Sequence, residues 1–188
     1  SADHMKSIGL ENVRLFETPG NPIVYGEWLN APGAPTILFY GHYDVQPVDP
    51  IDLWESPPFE ATVRENEIYA RGAADDKGQV FMHFKAIEAH MKQAGKLPLN
   101  IKVFLEGEEE VGSLHLDEFV RQNKALLAAD VVVISDSAMF AREIPSICYG
   151  LRGLAYYQID LRGTKSDLHS GGFGGAMANP AFVLSQML

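Results

Sequence analysis

The chain has 188 residues, 46% of them hydrophobic and 21% charged, and a net charge of -10. That is enough apolar material for one sizeable core, and the acidic balance argues against nucleic acid or an anionic membrane as a partner. No apolar run approaches the roughly 20 residues of a membrane span, no signal peptide is expected, and the single Cys148 excludes an internal disulfide, so a reducing cytoplasm is the plain expectation and inert burial the expected state of Cys148.

Residues 1–4 read as an expression remnant ahead of Met5, so His4 is given no role. Residues 23–28 and 36–40 read as strands joined by the turn-rich Asn30-Ala31-Pro32-Gly33. The second of these ends in Gly41-His42-Tyr43-Asp44, where His42 and Asp44, two apart, leave an extended chain on the same face. Residues 45–58 are rich in Pro, Asp and Trp without periodicity and predict a long loop. A short strand around Ile68 leads to Arg71-Gly72-Ala73-Ala74-Asp75-Asp76 and then to a helix ending near Gln93, with Val80, Phe84, Ile87 and Met91 on one face and Gly95 as its stop. Residues 99–105 predict a strand that runs into Glu106-Gly107-Glu108-Glu109-Glu110, residues 116–127 a helix, and residues 131–134 a fully buried strand ending in Ser135-Asp136. Strands alternating with helices imply a layered α/β sheet that gathers ligands at the carboxyl ends of its strands. Beyond Gly150 the pattern changes: residues 154–161 alternate as a half-buried antiparallel strand, and a Gly-rich loop with His169 precedes a helix starting near Ala176. A division into residues 1–150 and 151–188 follows.

Each polar cluster has a plain alternative. Asp75 and Asp76 stand at a helix start, where one acid can cap free N–H groups while the other is left for a metal. Four carboxylates within residues 106–110 are ordinarily a solvated charge run, yet neighbouring acids raise one another's proton affinity unless cations compensate, and such a group can supply both a ligand and a base. Asp136 suits either a turn or a third carboxylate ligand. His169, between Asp167 and two glycines, is either a surface loop residue or an imidazole positioned to stabilise an oxyanion. His83, His90 and His115 have no acidic companion in the local pattern and read as structural or exposed. Taken together, one histidine and three acidic groups at strand ends fit zinc or hard divalent cations, with two ions about 3.5–4 Å apart sharing a bridging carboxylate.

The segments GHYDVQP, RGAADDKG, EGEEEVGS and YGLRG…DLHSGG, in this order, closely resemble those of the dinuclear metallopeptidases that include carnosinases, cytosolic nonspecific dipeptidases, glutamate carboxypeptidases, aminoacylases and desuccinylases, with the dipeptidase branch nearest. The resemblance implies a layered α/β/α zinc-peptidase-like core, incomplete, followed by the start of an inserted α+β lid used in dimerisation. It implies that His42 binds one metal with Asp44 holding its imidazole, that Asp75 bridges two ions, that Asp136 completes the first site, that Glu109 is the general base and Glu110 a ligand of the second ion. Glu106 and Glu108 then fall back to the solvated run. His169 resembles a lid histidine that reaches a substrate carbonyl, commonly across a dimer, and Arg71 and Arg152 are structural candidates. A further histidine ligand that the family places far downstream has no counterpart here, so the second site is expected to be incomplete and the chain, read as the amino-terminal part of a longer protein, inactive alone. The implied activity of the intact protein is hydrolysis of dipeptides with two divalent ions, zinc foremost and manganese or cobalt as alternatives. Removal of an acyl group from an amino acid is the rival reaction.

Overall fold

The computed structural model describes residues 1–188, which separate into two compact units, Ser1–Cys148 and Tyr149–Leu188. In the first unit a five-stranded mixed sheet is built from β1 (Glu11–Phe16), β2 (Ile23–Trp28), β3 (Thr36–His42), β6 (Asn100–Glu106) and β7 (Val131–Ile134), in the order β1-β2-β6-β3-β7. β3 runs parallel to β6 and to β7, whereas β2 is antiparallel to β1 and β6. A separate hairpin of β4 (Thr62–Arg64) and β5 (Glu67–Tyr69) turns through Glu65 and Asn66, both at positive φ as a two-residue hairpin loop requires.

The period-2 alternation of the strands fills both faces of the sheet. On one face Val24, Ile101, Val103 and Leu105 meet Met5 and Ile8 of the α1 region (Ala2–Ser7) together with Phe84 and Ile87 of α2 (Gly78–Ala94). On the other, Ile23, Tyr25, Leu38 and Phe104 meet Phe119 of α3 (Leu116–Gln122) and Leu127 of α4 (Lys124–Leu127). This is the expected α/β/α layering. The buried Lys102, also on β6, donates to the carbonyls of Leu126 and Ala128 at 2.7 Å each, which satisfies the end of α4. Phe104 is buried, stacked on Phe119 at 5.6 Å and tilted against Tyr40 at 5.8 Å. Phe104→Ala is therefore expected to cost about 3–5 kcal/mol in urea denaturation; a loss below about 1 kcal/mol would mean that this face collapses onto the gap.

Several expectations are corrected. β1, where no strand was expected, forms one edge of the sheet against β2. β7 is an edge strand: Val131, Val132 and Ile134 are half-exposed, because only β3 pairs with it. His4 lies within α1 and stacks on Phe84 at 5.3 Å. In the second unit residues 154–161 form no ladder; its regular elements are α5 (Ser170–Phe173) and α6 (Pro180–Met187), capped by the side chains of His169 and Asn179, and the last helix starts at Pro180 rather than near Ala176. Cys148 is exposed rather than buried.

Candidate metal centre

The parallel register places His42 opposite Glu106 and Tyr40 opposite Ile134, so β3, β6 and β7 finish at the same end of the sheet. Each is followed by acidic residues. Gly41 lets this end close: a Cβ there would meet Val80 at 2.5 Å and Asp76 Oδ2 at 2.7 Å, so only glycine admits the start of α2 against the strand.

His42 is 1% exposed and its ring lies between carboxylates. Nδ1 is 3.2 Å from Asp44 Oδ1; Nε2 is 3.0 Å from Asp75 Oδ1 and 3.7 Å from Asp136 Oδ2. Burial alone would lower its pKa, but the hydrogen bond to Asp75 and the charges of Asp136, Asp44 and Asp76 raise it on balance. One ring nitrogen of His42 and one carboxylate oxygen each of Glu109 and Asp136 lie within 4.8 Å of one another, a separation that one ion can span. Asp44 does more than hold the imidazole. Its Oδ1 accepts the N–H of Glu109 at 3.3 Å and its Oδ2 that of Glu110 at 3.0 Å. One carboxylate thus joins the histidine to the turn bearing the two glutamates.

The other residues singled out in the sequence are placed as follows. Asp75 has backbone angles φ -152 and ψ 95 within an otherwise helical turn and a side chain 62% exposed, which leaves one face of its carboxylate open. Glu110 accepts from Gln46, at 3.2 Å from the backbone and 2.6 Å from Nε2. His169 belongs to the second unit, where Nδ1 accepts the Gly171 N–H at 3.0 Å. Burial first, then the charges of Asp136, Glu110 and Asp44 opposing His42, raises the pKa of Glu109; burial chiefly raises that of Asp136.

Asp76, Glu106 and Glu108 play parts that differ from those expected. Asp76 does not cap the helix; it is 1% exposed and its Oδ2 accepts the His42 N–H at 3.2 Å. Glu106 and Glu108 are not solvated: Glu106 is 2% exposed, and Glu108 pairs with His115 Nδ1 at 2.8 Å, an acidic companion the local pattern hid. His83 is structural, as expected: it stacks on Phe39 at 4.3 Å and lies 2.7 Å from Ser135 Oγ, beside Asp136, and burial lowers its pKa. The partners of Asp76, Glu106 and His83 lie far off in sequence.

The donor set fits a divalent cation. One imidazole faces acids on both ring nitrogens, the acids outnumber any local positive charge, and Asp76 Oδ1 is buried without a hydrogen-bond partner. Burial first, then the neighbouring acids, pushes Asp76 up to about 6 from an ordinary 3.8. Between those values the folded, metal-free state binds more protons than the unfolded one, so this group makes stability fall as pH rises. His42 acts in the same direction, its contribution being full below 6.5 and lost as pH rises through its raised folded value. The metal-free chain is accordingly expected to melt at lower temperature as pH goes from mildly acid to neutral, and saturating Zn²⁺ to flatten that trend. Thermal melts with EDTA and with Zn²⁺ test this; a metal-free melting temperature that rises over the range contradicts it.

The parallel strand ends of this three-layered α/β core bring an imidazole and several acids together, a donor set in keeping with the metallopeptidase class. Within that class the chain belongs to the peptidase family M20/M25/M40, whose sequence model matches residues 38–170. It is 42% identical to the Cys-Gly metallodipeptidase DUG1 of Candida albicans, covering 99% of this chain and 42% of that protein, and 38% identical to the Beta-Ala-His dipeptidase of Mus musculus, covering 100% and 41%. The solved di-peptidase Dug1p from Saccharomyces cerevisiae superposes with a TM-score of 0.76 at 32% identity, over 98% of this chain and 42% of that one. The chain thus spans about two fifths of the length of these relatives.

Proposed function

We propose that this chain carries the metal-binding and proton-transfer machinery of a dipeptidase. The observation that carries the reading is the His42 ring, buried between Asp44 and Asp75 with Asp136 and Glu109 in reach, at the common end of β3, β6 and β7. Likeness to proteins named as dipeptidases supports the substrate class. We assign His42 and Asp136 to one ion, Asp75 to a bridging position and Glu110 to a second ion, with zinc favoured by the mixed nitrogen and oxygen donors and manganese or cobalt able to substitute. When bound, the ions would lower the pKa of a water and polarise the scissile carbonyl. Asp44 orients the His42 ring and, through the Glu109 and Glu110 amides, sets the turn that carries the base. Glu109, its proton affinity raised by burial and neighbouring acids, takes the water proton and returns it to the leaving amine. His169 is assigned a contact to the substrate carbonyl on the strength of its motif. The first unit is read as the amino-terminal part of the catalytic domain and the second as the start of a lid, in a cytoplasmic homodimer.

Incubating the intact protein with Zn²⁺, Mn²⁺ or Co²⁺ and either Xaa-Xaa dipeptides or N-acyl amino acids tests the reading. Release of free amino acids from dipeptides is expected of the intact protein, and none from this chain alone. Selective release from N-acyl substrates moves the assignment to a deacylase, and hydrolysis of neither by the metal-loaded intact protein overturns the catalytic reading.

A further inference from the structure

Glu106 is a buried carboxylate that the mechanism above leaves without a task. Its Oε1 accepts from the Tyr40 hydroxyl on β3 and from Ser113 Oγ at 2.8 Å, while its backbone carbonyl accepts the Tyr43 N–H at 2.9 Å. Ser113 is where the Glu109–Glu110 turn ends: its N–H closes on the Glu108 carbonyl at 2.7 Å, and it adopts φ 51 directly after Gly112 at φ 91. A left-handed serine needs an outside restraint, since that conformation is uncommon for residues other than glycine. The near end of the turn is held by Asp44.

The geometry points to Glu106 as a positioning residue that pins the far end of this turn, so that Asp44 and Glu106 together fix where Glu109 and Glu110 stand. The anchoring needs no metal; only its consequence for zinc affinity rests on the function proposed above. With Oε1 in place, the Ser113 and Tyr40 hydroxyls converge on one acceptor and the turn has a single geometry. Without it, two half-buried hydroxyls lose their partner and the turn is held at one end only.

Hydrogen exchange and Zn²⁺ titration on S113A, E106L and E106Q test the proposal. S113A and E106L are expected to speed exchange of the amides in residues 109–113 by at least about 10-fold while β2 and β6 keep their protection. They should also weaken Zn²⁺ binding by about 10–100-fold. E106Q retains an acceptor oxygen and is expected to stay near wild type in both. Unchanged exchange in S113A overturns the anchor, and it decides the matter even where E106L does not fold. Uniform acceleration across the sheet overturns it in favour of a general packing role. Faster turn exchange with unchanged Zn²⁺ affinity overturns the positioning of the metal centre. A wild-type chain that binds no Zn²⁺ sinks the metal reading instead, and turn exchange in S113A still decides whether Glu106 anchors it.

Discussion

Glu109→Gln, in a form of the protein that turns over dipeptides, is expected to lower kcat by about 10²–10⁴-fold, the range over which a positioned general base contributes. Zinc affinity should remain. The substitution keeps the shape of the side chain and its N–H bond to Asp44, which is made by the backbone, but removes the group that can hold a proton. The outcome also separates two assignments that the geometry leaves side by side, because Glu109 lies with His42 and Asp136 in the group close enough to share an ion. If Glu109→Gln loses zinc affinity in proportion to its rate, Glu109 is a ligand and the base must be sought elsewhere. If turnover is retained, Glu109 has neither role. The measurement is therefore a pair: steady-state kinetics on a dipeptide and isothermal titration of Zn²⁺ into the metal-stripped variant.

The second large effect concerns His42. Loss of outer partners of metal ligands alone costs about 10–100-fold in affinity, so His42→Ala, which deletes the one imidazole of the cluster, is expected to weaken Zn²⁺ binding by at least about 100-fold. It also leaves Asp44, Asp75 and Asp136 facing one another with no positive or neutral ring between them. Any residual metal binding should then depend more on the hard acids and shift preference from Zn²⁺ toward Mn²⁺ or Mg²⁺. Competition titrations with these ions measure both quantities. Wild-type zinc affinity in His42→Ala would place the metal on the exposed carboxylates and remove His42 from the site.

The end of β3 was the most legible part of the chain, and the reason is local. An apolar strand followed by His42 and Asp44 two residues apart already states that the two side chains share a face, and the parallel pairing with β6 and β7 brings the next acidic groups to the same edge. What sequence could not supply were facts about neighbours. Glu106 looks like one member of a charge run until Tyr40, 66 residues away, is folded against it. Asp76 looks like a helix cap, but the extended backbone at Asp75 turns it back toward the His42 amide. Val131, Val132, Val133 and Ile134 look fully buried because an apolar run reports its own preference and not how many strands flank it. Residues 154–161 alternate as a strand should, yet alternation requires a partner to become a ladder, and none pairs with them here.

Asp44 carries a consequence for anyone who would redesign this centre. Because one carboxylate holds the His42 ring with the same oxygen that accepts the Glu109 amide, and holds Glu110 with the other, ion affinity and base placement share a single adjustable coordinate. Lengthening it to glutamate, or neutralising it to asparagine, moves both at once. Retuning the choice of ion without disturbing proton transfer has to begin at Asp136 or Asp75, which have no such second attachment to the glutamate turn.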